Sequence, residues 1–309
     1  MTEHMSLYLI PGGAGFIGSN IAEALLKEGH RVRILDNFST GKRSNVPADA
    51  ELFELDFTDL ASIRPAFEGV DGVFLTGALP RIPYSIDHPV ESAQANVFGT
   101  LNVLVAARDA KVKRVVYSAS SSAYGGQETL PLHPDMPANP LNPYALHKYI
   151  GEKNAEHFAK FYGLETVSLR YFNVYGPRMA DEGAYVTVIS HFVRQKKAGA
   201  SLTVHGDGEQ TRDFTHVADV VRANMLAMAS PRVGKGEVVN VGAGQNFSIN
   251  HIAAIVGGPV EYHPGRVGEA RHTRADITRT KELLEWEPTV EFEEGLREYL
   301  RSQGIEPGG

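Results

Sequence analysis

Tyr144 and Lys148 lie four residues apart and are the pair in this sequence best suited to acid–base work. On a helix that spacing puts both on one face. An ammonium beside a phenol favours the phenolate and brings it toward the range of a general base. The spacing alone does not single them out, because Tyr149 and Lys153 repeat it, about 140° further round the helix. Tyr144 and Lys148 are preferred because the first helical turns lie nearest the strand ends, where open α/β sheets bind ligands. Ser118, Ser120, Ser121 and Ser122 offer hydroxyls at such a strand end. Taken alone, a serine-rich turn satisfying its own backbone reads those residues equally well.

A second chemistry is anion binding. Gly12, Gly15 and Gly18 stand between the apolar run Leu7–Ile10 and a segment apolar at Ile17, Ile21, Ala24 and Leu25. That is a strand, a tight turn and an amphipathic helix. Free amides and the helix dipole at such a turn suit a pyrophosphate. A strand–helix loop that binds nothing is the plain alternative. A further strand, Arg31 to Leu35, ends in Asp36, whose carboxylate would accept a ribose diol and repel a 2′-phosphate, so NAD is favoured over NADP. Arg31 and Arg33 read as solvated strand residues that keep NADP open.

The elements that must position these groups alternate. Strands are expected at Glu51–Glu54, Gly72–Thr76, Val115–Ser118 and Glu165–Leu169. Between them lie a helix to Phe67 with Asp59 as N-cap, a long helix from Pro89 to Ala110, and a helix from Asn142 and Pro143 to Gly163. Repeated β-α units predict a doubly wound parallel sheet. Beyond Pro177 the rhythm breaks. The helix at His216–Ala229 and the strand at Val238–Val241 are expected to rejoin the sheet. The rest, with an amphipathic helix at Glu293–Arg301, forms a smaller lobe. The division is residues 1–173 plus 213–243 against 174–212 plus 244–309.

Composition narrows the function classes. The chain has 309 residues, net charge −7 and no cysteine. Disulfides, thiolate metal sites and cysteine nucleophiles are excluded, and a nucleic-acid or acidic-membrane surface is disfavoured. The twelve histidines are scattered, so no metal site is expected. The polar start Met1-Thr2-Glu3-His4-Met5 is unlike a signal peptide, and no apolar run is long enough to span a bilayer. A cytoplasmic protein without nucleic-acid or membrane partners is the expectation.

Gly12-x-x-Gly15-x-x-Gly18, Asp36-Asn37, Asp56, Asn96, the serines before Ala123-Tyr124-Gly125, Tyr144-x-x-x-Lys148 and Arg170-Tyr171-Phe172-Asn173-Val174-Tyr175-Gly176-Pro177 occur in this order. The pattern runs on through Gly206 to His216, Asn240-Val241-Gly242, Gly265-Arg266 and Arg271 to Asp276. The chain resembles the extended short-chain dehydrogenase/reductase family, and within it the nucleotide-sugar 4-epimerases. The resemblance implies a Rossmann-type sheet with a C-terminal substrate-binding lobe, NAD as cofactor and a homodimer built on the two long helices. It implies that Gly12, Gly15, Phe16 and Ile17 hold the pyrophosphate, Asp36 and Asn37 the adenosine ribose, and Asp56 and Phe57 the adenine. Asn96 and Tyr171 are further cofactor contacts. Tyr144 is the base, Lys148 its partner and a nicotinamide-ribose ligand, and Ser120 the catalytic hydroxyl, with Ser121 and Ser122 beside the sugar. Asn173, Arg212 and Arg271 grip a UDP-sugar diphosphate, a task suited to the arginine fork.

Sugar dehydratases of that family carry Thr-Asp-Glu where this chain has Ser120-Ser121-Ser122. Decarboxylases usually keep a glutamate at the Ser122 position. The serines, with Asp181-Glu182-Gly183-Ala184-Tyr185 downstream, are more similar to epimerases of UDP-glucose or UDP-N-acetylglucosamine. The expected reaction is 4-epimerisation of a UDP-hexose through a transient 4-keto sugar. The alternatives are a UDP-glucuronate 4-epimerase, a member with net redox chemistry, or a non-catalytic NAD-binding protein. The chain departs from the family pattern at Pro11, at Leu75-Thr76-Gly77-Ala78, at Tyr84 and at His147, the last read as a helix-surface residue.

Overall fold

The computed structural model describes residues 5–80, 82–180, 187–265 and 270–308. Six apolar runs in the first half form parallel strands: β1 (Leu7–Pro11), β2 (Arg31–Leu35), β3 (Glu51–Phe53), β4 (Gly72–Leu75), β5 (Arg114–Ser120) and β6 (Glu165–Tyr171). Four short strands follow, β7 (Val174–Tyr175), β8 (Leu202–His205), β9 (Thr211–Arg212) and β10 (Thr215–His216), and then a longer one, β11 (Lys235–Val241). β12 (Phe247–Ser248) and β13 (Val260–His263) complete the set. β11 returns to the edge of the large sheet, whose order is β11-β6-β5-β4-β1-β2-β3. Its central strands are apolar on both faces, with Leu9, Ile10, Val73, Phe74, Val115 and Val116 fully buried, as a parallel sheet covered by helices on both sides requires.

The helices are α1 (Phe16–Lys27), α2 (Leu60–Ile63), α3 (Ile82–Asp87), α4 (Pro89–Ala93), α5 (Thr100–Asp109), α6 (Pro143–Tyr162), α7 (Val188–Lys197), α8 (Val217–Ala229), α9 (Ile249–Val256), α10 (Thr278–Leu284) and α11 (Phe292–Ser302). Local chemistry sets several ends. Asp59 accepts the amides of Ala61 and Ser62 and caps α2. Asn142 accepts the Ala145 amide, with Pro143 in the first turn, and α6 stops at Gly163 in the left-handed region. His216 accepts the Ala218 amide through Nδ1 at the start of α8.

The smaller lobe packs Phe192, Ile252, Leu296 and Leu300 from α7, α9 and α11 into its own core. Pairs β7–β10, β9–β12 and β8–β13 bind its loops together. Leu284 and Trp286, placed with this lobe from sequence, instead join the core under the large sheet with Val239 and Ala223. The Trp286 indole donates to Asp219 O at 2.9 Å, and a buried indole N–H needs such a partner.

Three more expectations are corrected. β5 continues to Ser120, so Ser118 and Ser120 are strand residues on one face. The run Pro89–Ala110 is not one regular helix, because a π-helical turn, Gln94–Gly99, separates α4 from α5. Arg33 is not solvated. It is buried, donating to Glu51 (2.8 Å), Ala66 O (2.7 Å) and Glu68 O (3.1 Å). Those carbonyls lie at the end of the first α/3-10 helix pair, so a long cation satisfies them there.

Candidate active site

The turn after β1 is a backbone cradle. Gly12 has φ +84°, and a Cβ there would lie 2.4 Å from Gly77 Cα. A Cβ on Gly18 would lie 2.5 Å from Gly12 O. Both positions therefore demand glycine. Gly15 is the N-cap residue of α1 and contributes no side-chain cap. Phe16 and Ile17 open that helix, so their amides and the dipole face outward from the turn. The departures at Pro11 and Thr76 meet here. The Thr76 hydroxyl donates to Pro11 O (3.1 Å) and Gly12 O (3.2 Å), and the amides of Thr76 and Gly77 also reach Pro11 O.

Asp36 braces the same turn. One carboxylate oxygen accepts the Ala14 amide (3.0 Å) and the other the Phe38 amide (2.8 Å). Burial raises its pKa, opposed by those two donors. Asn37 donates to Asp56 at 2.8 Å. Burial pushes Asp56 up, but hydrogen bonds from Thr58 and Asn37 outweigh it and leave the carboxyl below its usual range. The Phe57 ring lies where a Cβ on Gly77 or Gly99 would be, 2.6 and 2.3 Å away. A glycine cradle at a helix N-terminus with a carboxylate at the next strand end is a donor and acceptor set that fits a dinucleotide. Arg33, engaged elsewhere, is not available to a 2′-phosphate.

Two of the expected cofactor residues have their side chains occupied by the protein. Asn96 is buried in the π-helical turn and pairs with both backbone groups of Leu79. Tyr171 is buried in the core, its hydroxyl donating to Asn224 Oδ1 (3.0 Å) and lying 3.0 Å from Ser118 Oγ. Burial pushes that phenol up to about 12.

At the end of β5 two serines are paired. Ser122 donates to Ser120 Oγ through its hydroxyl (2.8 Å) and its amide (3.2 Å). Ser120 is near enough to the Tyr144 phenol to lower its pKa. With its oxygen accepting twice, Ser120 keeps its one proton for donation to a further acceptor. Ser121 begins the short 3-10 turn that Ser120 caps. Burial pushes Tyr144 up to about 12, partly offset by Ser120. Burial takes the Lys148 amine down to about 7, and Nζ sits 4.6 Å from the Tyr117 ring centroid. Tyr149 and Lys153 line a separate cleft beside Arg170 and Gly236, with Lys153 paired to Glu156.

His147 is not on the helix surface. It is buried, with Nδ1 3.1 Å from Ser92 Oγ, because its face of α6 packs against α4. Tyr84 is half-buried with its ring 4.6 Å from that of His88.

In the smaller lobe, Arg212 Nη1 donates to Arg271 O at 3.1 Å, so the chain brings these two segments side by side. Arg212 is half-buried, whereas Arg271 is exposed and paired with Asp207 at 2.7 Å. Asn173 has φ +24°, which asparagine tolerates, and donates to Asp213 O at 2.9 Å. Asp181 to Tyr185 and Arg266 lie outside the described residues.

Sequence reasoning passed over Asp213. It is fully buried and accepts the amides of Ala243 (2.7 Å), Gly244 (3.0 Å) and Ala275 (2.9 Å). It thereby fastens three loops around Asn173. Burial pushes its pKa up to about 7 against those donors. An aspartate between Arg212 and Phe214 carried no local signal of this.

The model of the NAD dependent epimerase/dehydratase family matches residues 8–242. The UDP-glucose 4-epimerase of Mycolicibacterium smegmatis is 35% identical over 306 residues, covering 93% of this chain and 95% of that one. A UDP-N-acetyl-alpha-D-glucosaminuronate decarboxylase from Bacillus cytotoxicus is also 35% identical, covering 95% and 96%. The crystal structure of UDP-glucose 4-epimerase with UDP-glucose from Thermotoga maritima superimposes with a TM-score of 0.91 at 35% identity, covering 96% of this chain and 99% of that one.

Proposed function

The chain belongs to the NAD dependent epimerase/dehydratase family, and from that premise we propose that it interconverts UDP-glucose and UDP-galactose by 4-epimerisation, with the N-acetyl forms as further candidate substrates. The observation that carries the reading is the Ser122–Ser120 hydroxyl pair at the end of β5, with Tyr144 in the first turn of α6. It offers hydroxyls, and no carboxylate, where a dehydratase needs an acid and a base.

In this reading Tyr144, as phenolate, removes the proton from the sugar 4-hydroxyl, helped by Ser120. NAD, when bound, supplies the acceptor and donor for the C4 hydride. Gly12, Gly15, Phe16 and Ile17 hold its pyrophosphate, and Asp36 and Asn37 its ribose. Lys148 places positive charge beside the phenolate. Asn173, Arg212 and Arg271 keep the UDP in place while the 4-keto sugar turns its other face. The residues around the nucleotide are tied down by Asp213, whereas serines line the sugar. The Bacillus cytotoxicus decarboxylase acts on a sugar acid. The product assay therefore includes one.

We assign the protein a cytoplasmic location and a homodimeric state. Among the described residues no helix is long and apolar enough to cross a membrane. Val90 and Phe98, beside Leu146 and Phe161 of α6, expose apolar side chains on the two helical runs, and a second copy would cover them.

The test is proton NMR of the products after incubation with UDP-glucose, UDP-N-acetylglucosamine or UDP-glucuronate, with and without NAD. The galacto epimer of either of the first two, without net NADH, is expected. Conversion of UDP-glucuronate alone would move the substrate class, and no conversion of any sugar would overturn the reading.

A further inference from the structure

Residues 76–80 and helix α3 (Ile82–Asp87) touch the two halves of the site. On one side the Gly77 amide donates to Pro11 O at 2.8 Å, and its Cα fills the space beside Gly12. On the other, Ser85 Oγ accepts the backbone amide of Tyr144 at 3.0 Å. Between these points Asn96 clamps Leu79, accepting its amide at 2.8 Å and donating to its carbonyl at 3.1 Å. The same Asn96 Nδ2 reaches Ser92 Oγ at 3.3 Å, and Ser92 Oγ lies 3.1 Å from His147 Nδ1. All three side chains are buried.

Counting protons orders this chain. The Asn96 amide nitrogen is a donor only, so Ser92 Oγ accepts from it. Ser92 is fully buried and its proton needs an acceptor; of its two side-chain partners only His147 Nδ1 can accept, so Nδ1 is assigned as the bare nitrogen of the ring. His147 is assigned from this network as the neutral Nε2–H tautomer. Burial, which holds its pKa below the usual range, acts in the same direction. With Nδ1 engaged and the ring buried, His147 is not a second base. It follows Tyr144 by three residues and precedes Lys148, so whatever holds its ring holds the turn that carries both.

We propose that His147 is a positioning residue. Through Ser92 and Asn96 it ties the turn bearing Tyr144 and Lys148 to the loop that backs the glycine cradle, and so sets the spacing between base and cofactor seat. The inference rests on the epimerase reading for what the base acts upon, and not for the network itself.

The test compares His147→Leu, Ser92→Ala, their double variant and His147→Asn, which keeps an acceptor oxygen close to the position of Nδ1. With UDP-glucose, the leucine and alanine variants are expected to lose roughly 10- to 100-fold in kcat, the scale of a small misplacement of reacting groups. KM should stay within about twofold, the double variant should be no worse than the poorer single one, and asparagine should restore most of kcat. Multiplying losses in the double variant, an asparagine variant as poor as leucine, or a change confined to KM would each overturn the proposal. If the wild type converts no UDP-sugar, the epimerase reading falls. Calorimetric NAD affinity of the same variants then decides. A non-additive loss spared by asparagine supports the network, and equal affinity in all variants overturns it. Should the leucine variant not fold, Ser92→Ala and His147→Asn decide alone. Loss in the first with retention in the second supports the proposal, and equal rates in the two overturn it.

Discussion

Replacing Lys148 by methionine removes a charge while keeping the bulk of the chain. In the protein without ligands, burial holds the Tyr144 phenol near 12. At pH 7 only about one phenol in 10⁵ is then ionised, a gap of about 7 kcal/mol at about 1.4 kcal/mol per pKa unit. Side chains whose Cβ atoms are roughly 5–6 Å apart, as in an i,i+4 pair, can bring an ammonium to about 5 Å from the phenol oxygen, where it contributes about 3 kcal/mol at an effective dielectric near 20. That is a little over two pKa units. Lys148 itself is brought down by burial to about 7, so the two groups titrate as a pair, each proton lost from Tyr144 favouring one kept on Lys148. Removing the cation raises the phenol pKa. Lys148→Met is therefore expected to lose about 200-fold in kcat at pH 7 with NAD saturating. The deficit should shrink by about tenfold per pH unit, because hydroxide then supplies the phenolate. The assay is the initial rate of epimer formation from pH 6 to 10. A pH-independent kcat in the variant, or a defect that vanishes entirely at high NAD, would refute the charge argument.

Gly12→Ala forces a Cβ against the Gly77 backbone at a positive φ, so NAD binding should fall at least tenfold by calorimetry while Gly29→Ala, with open space around it, leaves it unchanged. Asp36→Asn puts a donor against the Ala14 or Phe38 amide and should weaken NAD without admitting NADP, since Arg33 is engaged by Glu51 and two carbonyls; paired titrations with the two dinucleotides measure this. Asp213→Ala strands three amides at about 1–3 kcal/mol each, and urea unfolding should show a loss of roughly 3 kcal/mol or more. The Asp213 pKa is raised from 3.8 to about 7 in the fold, so its contribution is complete below about pH 4 and is lost as pH rises through 7. The destabilisation by alanine should accordingly be smaller at pH 8 than at pH 5, and the opposite trend would show that the three amides hold the carboxylate ionised.

Much of the candidate site was legible because its signals are local. The caps at Asp59, Asn142 and Gly163 each use partners within a few residues. The glycines before α1 were identifiable because a strand–turn–helix of that length leaves no room for side chains. The serines were visible as a cluster, but their division was not. Strand alternation turns Ser118 and Ser120 to one face, yet only tertiary contacts tell them apart, Ser118 meeting Tyr171 in the core and Ser120 meeting Ser122 at the strand end. The π-helical turn at Gln94–Gly99 left no mark in the hydrophobic period, which passes through it. Asn96 was expected at the cofactor from the family resemblance alone; its pairing with both backbone groups of Leu79 depends on the path of a distant segment.

The sequence by itself determined the alternating strands and helices, the glycine turn before α1 and the helical face shared by Tyr144 and Lys148. These follow from spacing over a dozen residues, where backbone geometry and side-chain period dictate what is adjacent. Tertiary structure alone decided what surrounds each ionisable group. His147 meets Ser92 across 55 residues, Asp213 meets Ala275 across 62, and Arg33 meets Ala66 across 33. Whether a polar side chain is buried, and which amide or carbonyl satisfies it, depends on how distant segments stack against the sheet. Burial then sets the pKa, because desolvation acts over the whole shell of neighbours and not along the chain.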